Sequence, residues 1–329
     1  MPYRFSADQV PLSQLAPEQA LRRLELQIVR RLEGFLRGEH LGLLPGPGTD
    51  MAEARTYIPG EDDVRRMDWA VTARTTIPHV RDIIADRELE TWVLVDLSPS
   101  MHFGTAAMEK RDLAVAAVAT MGLLTFRVGD RFGGYVLRDG TLKRWPARSG
   151  RLALFGLLRS LLRDAVPGRA APTQSLAQSI TAVARSQRKR GLRVVVSDFI
   201  DMRDSASDPE TPPSWERAMR ELGARHQSIA VEIIDPRELT IPNVGTVLLQ
   251  DPETGVAREL NTSDRKIRQR YAAAASLQRR RTAWALRRAG VAHLVLRTDR
   301  DWVADTARFA LKHRRVAARL HQPPTGVMR

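Results

Sequence analysis

Leu21, Leu24, Ile28, Leu32 and Phe35 recur at intervals of three and four residues, with Arg22, Arg23, Arg30 and Arg31 falling mostly between them. That spacing predicts an amphipathic helix over 17–37, opened by Pro17 and stopped by Gly38. The stretch Leu44-Pro45-Gly46-Pro47-Gly48 then ends regular structure. Over 50–90 charge is dense and mixed and no period stands out, yet Met51, Tyr57, Ile58, Met67 and Trp69 are interspersed, which predicts an arm that docks on something.

From there the pattern turns to alternating short apolar runs and helical periods. Strands are expected at 92–95, 131–137, 141–145, 193–197, 227–234 and 291–296. Helices are expected at 108–126, 152–162, 176–188, 212–222, 264–289 and 301–313. The helix at 108–126 is almost wholly apolar and therefore buried. Arg138-Asp139-Gly140 joins two of the strands as a hairpin turn, and a second hairpin, near 246–260, turns through Asp251-Pro252-Glu253-Thr254-Gly255. Trp284 is expected on the apolar face of the helix at 264–289.

Buried strands alternating with helices predict an α/β fold, a doubly wound, mostly parallel sheet preceded by a smaller helical and extended N-terminal segment. The expected division is 1–90 for that helix and arm, 91–318 for the sheet domain with its hairpin insertion, and 319–329 for a disordered tail.

Composition trims the functional classes. No cysteine is present, so disulfides, thiolate metal sites and cysteine nucleophiles are excluded. The longest apolar run, 113–126, is too short to span a bilayer and is broken by Thr120 and Gly122; the start, MPYRFSADQV, lacks a signal-like apolar core. A cytoplasmic protein without a membrane anchor is the expectation. The net charge of +14 raises nucleic-acid binding, with the helix at 264–289 as its candidate through Arg279, Arg280, Arg281, Arg287 and Arg288. Only five of the 52 basic residues are lysine and the arginines are spread along the chain, a pattern that a GC-rich genome also writes.

Candidate chemistry lies where such a sheet reverses its winding. With strand order 3-2-1-4-5-6, the first and fourth strands are neighbours, and ligands bind beyond their carboxyl ends. The first strand ends at Asp96, followed by Leu97-Ser98-Pro99-Ser100, and the fourth ends at Ser197-Asp198. Carboxylate and hydroxyl oxygens converging there suit Mg²⁺, and Thr173 or Ser175, just before the helix from Leu176, would add another hydroxyl.

Asp96-x-Ser98-x-Ser100 with Asp198 resembles the metal-ion-dependent adhesion site of von Willebrand factor type A domains, themselves Rossmann-like. The block Glu53-Ala54-Arg55-Thr56-Tyr57-Ile58-Pro59-Gly60-Glu61-Asp62-Asp63-Val64-Arg65-Arg66-Met67-Asp68-Trp69, with Ala73-Arg74 and Val80-Arg81, resembles the bacterial domain of unknown function 58 family. Ser197-Asp198-Phe199, Asp235-Pro236-Arg237-Glu238 and Asp251-Pro252-Glu253-Thr254-Gly255 continue the likeness. The resemblance implies a metal site of Asp96, Ser98, Ser100, Thr173 and Asp198 holding Mg²⁺ or another hard divalent cation. It also implies a partnership with a MoxR-type AAA+ ATPase, or with a client protein whose acidic side chain completes the metal shell. The family's threonine usually stands two residues before the helix-opening leucine; here Thr173 stands three before Leu176 and Ser175 one before.

Arg55, Tyr57, Asp62, Arg65, Asp68, Trp69 and Arg74 of the arm are candidate partner contacts, the arginines equally able to pair with the acidic residues of the same block. No phosphate-binding loop, nucleophile elbow or His-Glu-x-x-His spacing occurs, so binding rather than turnover is expected. The alternatives are a Mg²⁺-dependent phosphoester hydrolase and a nucleic-acid-binding protein using the basic helix. An aspartyl phosphatase would need an acid-base partner at position 98, which is serine.

Overall fold

The computed structural model describes residues 12, 15–35, 54–59, 63–64, 67–81, 90–106, 108–125, 130–163, 174–187, 189, 191–200, 211–250 and 256–320. The tail over 321–329, the turn at 251–255, Thr173, Asp62 and Arg65 lie outside them, as do the side chains of Arg55 and Arg81.

The N-terminal part supplies α1 (Pro17–Phe35), β1 (Ala54–Thr56), α2 (Trp69–Thr75) and β2 (His79–Arg81). Then follow β3 (Glu90–Asp96), α3 (Lys110–Thr125), β4 (Arg131–Arg138), β5 (Thr141–Ser149), α4 (Arg151–Arg163), α5 (Leu176–Ser186) and β6 (Leu192–Ser197). The remainder is α6 (Glu216–Arg225), β7 (Gln227–Ile234), α7 (Pro236–Leu239), β8 (Thr246–Gln250), β9 (Ala257–Asn261), α8 (Arg265–Arg288), β10 (Ala292–Arg297) and α9 (Trp302–Leu320).

Six strands form one sheet in the order β10-β7-β6-β3-β4-β5. All neighbours run parallel except β4 and β5. Counted along the chain, this is the 3-2-1-4-5-6 order, with β3 and β6 adjacent at the reversal. The antiparallel edge follows from its turn, where Asp139 and Gly140 both have positive φ, 47° and 66°. That geometry matches the twist of a two-residue hairpin and is tolerated by Asp-Gly.

Alternation of side chains along each strand divides the core in two. Val93, Val95, Val194, Val196, Val231 and Ile233 face one cluster with residues of α1, α3, α4 and α9. Trp92, Leu94, Val195 and Ala230 face the other, with α5, α6 and α8. Both faces are covered, which is why the strands read as continuous apolar runs. Helix α1 belongs to the first cluster through Ala20, Leu24 and Ile28, so the segment placed before the sheet domain by sequence shares its core.

In the arm, β1 and β2 pair antiparallel and Asp68 caps α2, accepting from the amides of Ala70 and Val71 at 3.1 and 3.2 Å. Trp284 departs from expectation, being 60% exposed. The inward positions of α8 are Thr282, Ala285 and Leu286. Residue 284 is turned about 100° from Ala285 around the helix axis, away from that line.

Gly191 lets β6 start hard against β3. A Cβ there would stand 2.2 Å from the Glu90 carbonyl oxygen, which accepts a bond from buried Arg193. Backbone cannot yield cheaply, so Gly191→Ala is expected to lower the unfolding free energy by about 1–3 kcal/mol. Urea denaturation checks this; an unchanged midpoint would mean the two strands separate freely at that end.

Candidate functional site

The site is built at the carboxyl ends of β3 and β6. Their parallel register sets Val95 beside Val196, so Asp96 and Ser197 leave the sheet together. Ser197 Oγ donates to Asp96 Oδ2 at 2.7 Å, and the Ser98 amide donates to Asp96 Oδ1 at 3.0 Å. The chain then enters a short 3-10 turn, Pro99–His102, fixed by Pro99 at its start and fully buried Met101. This folds the Ser98 and Ser100 hydroxyls to within 3.2 Å of each other.

Asp198 follows Ser197 and is also buried. Its Oδ1 accepts from the Ile200 amide at 3.0 Å. Between them Phe199 takes a left-handed φ of 57°, a conformation disfavoured for a side chain of its size. Trp215 holds it there: the rings meet edge-on at 5.0 Å, and Trp215 Nε1 donates to the Phe199 carbonyl at 3.2 Å.

Asp96, Ser98, Ser100 and Asp198, separated by about a hundred residues, are thus brought to one place. Asp96 is 3% exposed, and its carboxyl is pushed up to about 6, first by burial and then by the Asp198 carboxylate. A place where two carboxylates crowd without full neutralisation invites a cation. The donors are all oxygen, and the Ser98–Ser100 separation is close to the roughly 3.0 Å edge of an octahedron of ligands about 2.1 Å from a Mg²⁺ ion. No group of three or more His, Asp or Glu side chains fit to hold a metal occurs among the described residues. Such a centre would therefore be a mixed carboxylate–hydroxyl one, with Asp96, Ser98 and Ser100 as its protein face. Ser175 is engaged as the cap of α5, in a reciprocal pair with Gln178, and Thr173 lies outside the described residues.

Two residues that the sequence did not mark as part of the site belong here: Lys110, and Glu238, which enters only through the family likeness. Lys110, wholly buried at the start of α3, donates to Asp198 Oδ2 at 2.8 Å and to Glu238 Oε1. Burial would lower the affinity of its amine for a proton, but Asp198 and Glu238 more than reverse this and hold it above the ordinary lysine value. Glu238 Oε2 in turn accepts from the Asp235 amide at 2.9 Å. Asp235 accepts from the Thr105 amide and hydroxyl and from the Thr298 hydroxyl, at 2.9, 2.6 and 2.8 Å. The one signal available was a lysine, among only five in the chain, opening a helix that is largely apolar beyond its first turn.

The remaining candidates disperse. In the arm, Trp69 is 68% exposed and Arg74 is exposed, Tyr57 is half-buried, and Asp68 is buried in its capping role. Of the basic helix, Arg279 faces Glu232 at 3.6 Å, Arg288 pairs with Glu216, and Arg281 bonds the Thr211 carbonyl. Three of its five singled-out arginines thus have partners inside the protein. No helix among the described residues is long and apolar enough to cross a membrane.

Residues 53–281 match the model of a family described as protein of unknown function DUF58. An uncharacterized protein of Mycobacterium tuberculosis is 48% identical over 304 residues, covering 92% of each chain, and one of Mycobacterium bovis matches to the same extent. Among solved structures, the conserved hypothetical protein BatB from Bacteroides thetaiotaomicron aligns over 69% of this chain and 99% of its own, at 14% identity and a TM-score of 0.40. The SpRpn10 VWA domain aligns over 66% and 93%, at 12% identity and a TM-score of 0.33.

Proposed function

The chain belongs to the DUF58 family, and on that premise we propose that it is a metal-dependent protein-interaction module, working by binding rather than turnover. The observation that carries this reading is the meeting of Asp96, Ser98 and Ser100 beside Asp198 at the reversal of the sheet. Asp96, Ser98, Ser100 and Asp198 would hold Mg²⁺ directly or through water, with Thr173 as a further donor. A bound Mg²⁺ supplies a hard positive centre on which an outside carboxylate can be recognised. The protein's own contribution is to fix the hydroxyls on the 3-10 turn and to keep Asp96 out of water.

The proposed partner is a MoxR-type AAA+ ATPase, or a client protein delivered with it, presenting an acidic side chain. The proposed compartment is the cytoplasm, which suits a chain without cysteine. Exposed Trp69 and Arg74 of the arm would extend the contact beyond the metal.

Binding of the purified chain to the MoxR-type ATPase of the same genome, measured in Mg²⁺, in chelator and with Asp96→Ala, tests the reading. Chelation and the substitution should each weaken binding by about tenfold or more, at least about 1.4 kcal/mol. Equal affinity under all three conditions would remove the metal from the mechanism.

A further inference from the structure

The ammonium of Lys110 sits against one of the two carboxylates that a divalent ion would need. It is not at the surface, where salt and water would blunt it, but fully buried, and the Asp198 side chain beside it is 1% exposed. Its second partner, Glu238, belongs to α7 and is 23% exposed. One fixed positive charge is therefore shared between a carboxylate of the candidate centre and one outside it. An ion arriving at Asp96, Ser98 and Ser100 would meet that charge at close range, in surroundings where Coulomb interactions are strong. It would also find Asp198 already engaged on both oxygens, by Lys110 and by the Ile200 amide.

We propose that Lys110 is the resident counter-cation of this site. Clasped between Asp198 and Glu238, it competes with a divalent ion for Asp198 and keeps the resting affinity of Asp96, Ser98 and Ser100 low until a guest carboxylate arrives. The idea rests on the metal-dependent reading above and gives it a regulation. An ion held weakly by the protein alone is held well only together with the guest, so capture and metal loading become one event. Glu238 sets the strength of the competition: by taking a share of the ammonium, it loosens the hold of Lys110 on Asp198.

The two ends of this ion pair should therefore act with opposite signs, which a purely structural pair would not do. The dissociation constant for Mn²⁺, read from the electron paramagnetic resonance of the free ion, is the measurement, with melting temperature as the check that each variant is folded. Lys110→Met should tighten Mn²⁺ by about tenfold or more. Glu238→Gln, which leaves the ammonium to Asp198 alone, should weaken it, and Lys110→Arg, which keeps the charge, should stay within about threefold of the parent. Binding that is seen only in Lys110→Met supports the proposal equally. If folded Lys110→Met binds no more tightly than the parent, Lys110 does not compete and the proposal falls while the metal site stands. Should Lys110→Met fail to fold, Glu238→Gln decides: weaker binding at an unchanged melting temperature upholds the proposal, and unchanged or tighter binding overturns it. No Mn²⁺ bound by the parent or any variant would take away the metal-dependent reading, and this inference with it.

Discussion

Truncating Trp215 to alanine is expected to cost about 3–5 kcal/mol of folding free energy, the range for deleting a fully buried aromatic side chain. Trp215 has no exposure, and its effect reaches beyond packing because its ring and Nε1 hold Phe199 in the left-handed region. Such a backbone conformation costs roughly 1–3 kcal/mol and persists only where surrounding structure imposes it. With the indole gone, residues 198–200 should relax, and Asp198 should lose its bonds to Lys110 and the Ile200 amide. Chemical denaturation measures the first effect, and the Mn²⁺ dissociation constant of the folded fraction measures the second. Trp215→Phe keeps most of the packing and should cost about 1 kcal/mol, the worth of one hydrogen bond. An unchanged Mn²⁺ dissociation constant in Trp215→Ala would show that the loop keeps its shape unaided.

The second large effect concerns acidity. With its carboxyl pushed up to about 6 by burial and by Asp198, against 3.8 in the ordinary case, folded Asp96 holds its proton more firmly than the unfolded chain does. Protonation of this group therefore favours the fold. Its contribution is complete below about pH 4 and is lost as the pH rises to and through 6, amounting to about 3 kcal/mol at about 1.4 kcal/mol per pH unit. In chelator, the urea midpoint of the parent should fall across this window. Asp96→Asn, with no carboxyl to ionise, should flatten the fall and be the more stable protein at pH 7. If the parent and Asp96→Asn descend in parallel, the penalty of burying charge lies elsewhere.

The layered architecture was legible because long-range order leaves a local trace here. Strands covered on both faces must be apolar throughout, as 192–197 is, and a helix buried all round must be like α3, where only Leu123 and Thr125 escape burial. The Asp139-Gly140 turn and the ending of two strands at Asp96 and Ser197 are equally local, so most of the candidate site could be read from the chain. Lys110 and Glu238 could not. Their meaning depends on which strand end lies opposite, and a lysine at the start of a helix carries no mark of the carboxylate it will meet. The pairing of β1 with β2 escaped for another reason: three residues hold too little of a two-residue period to show it. Trp284 misled because large apolar side chains usually turn inward, whereas α8 approaches the protein on threonine, alanine and leucine.

Helix α1 packs with α9, and an ion pair joins Arg31 to Asp301 across 270 residues of chain. During translation at about 5–20 residues per second, the earlier helix must wait roughly 15–50 seconds for its last neighbour to be synthesised. Throughout that interval α1 is without the last of its packing neighbours on the ribosome. Nascent chains stalled before residue 301 should thus be the species that a holding chaperone retains, and release should coincide with emergence of the C-terminal helix.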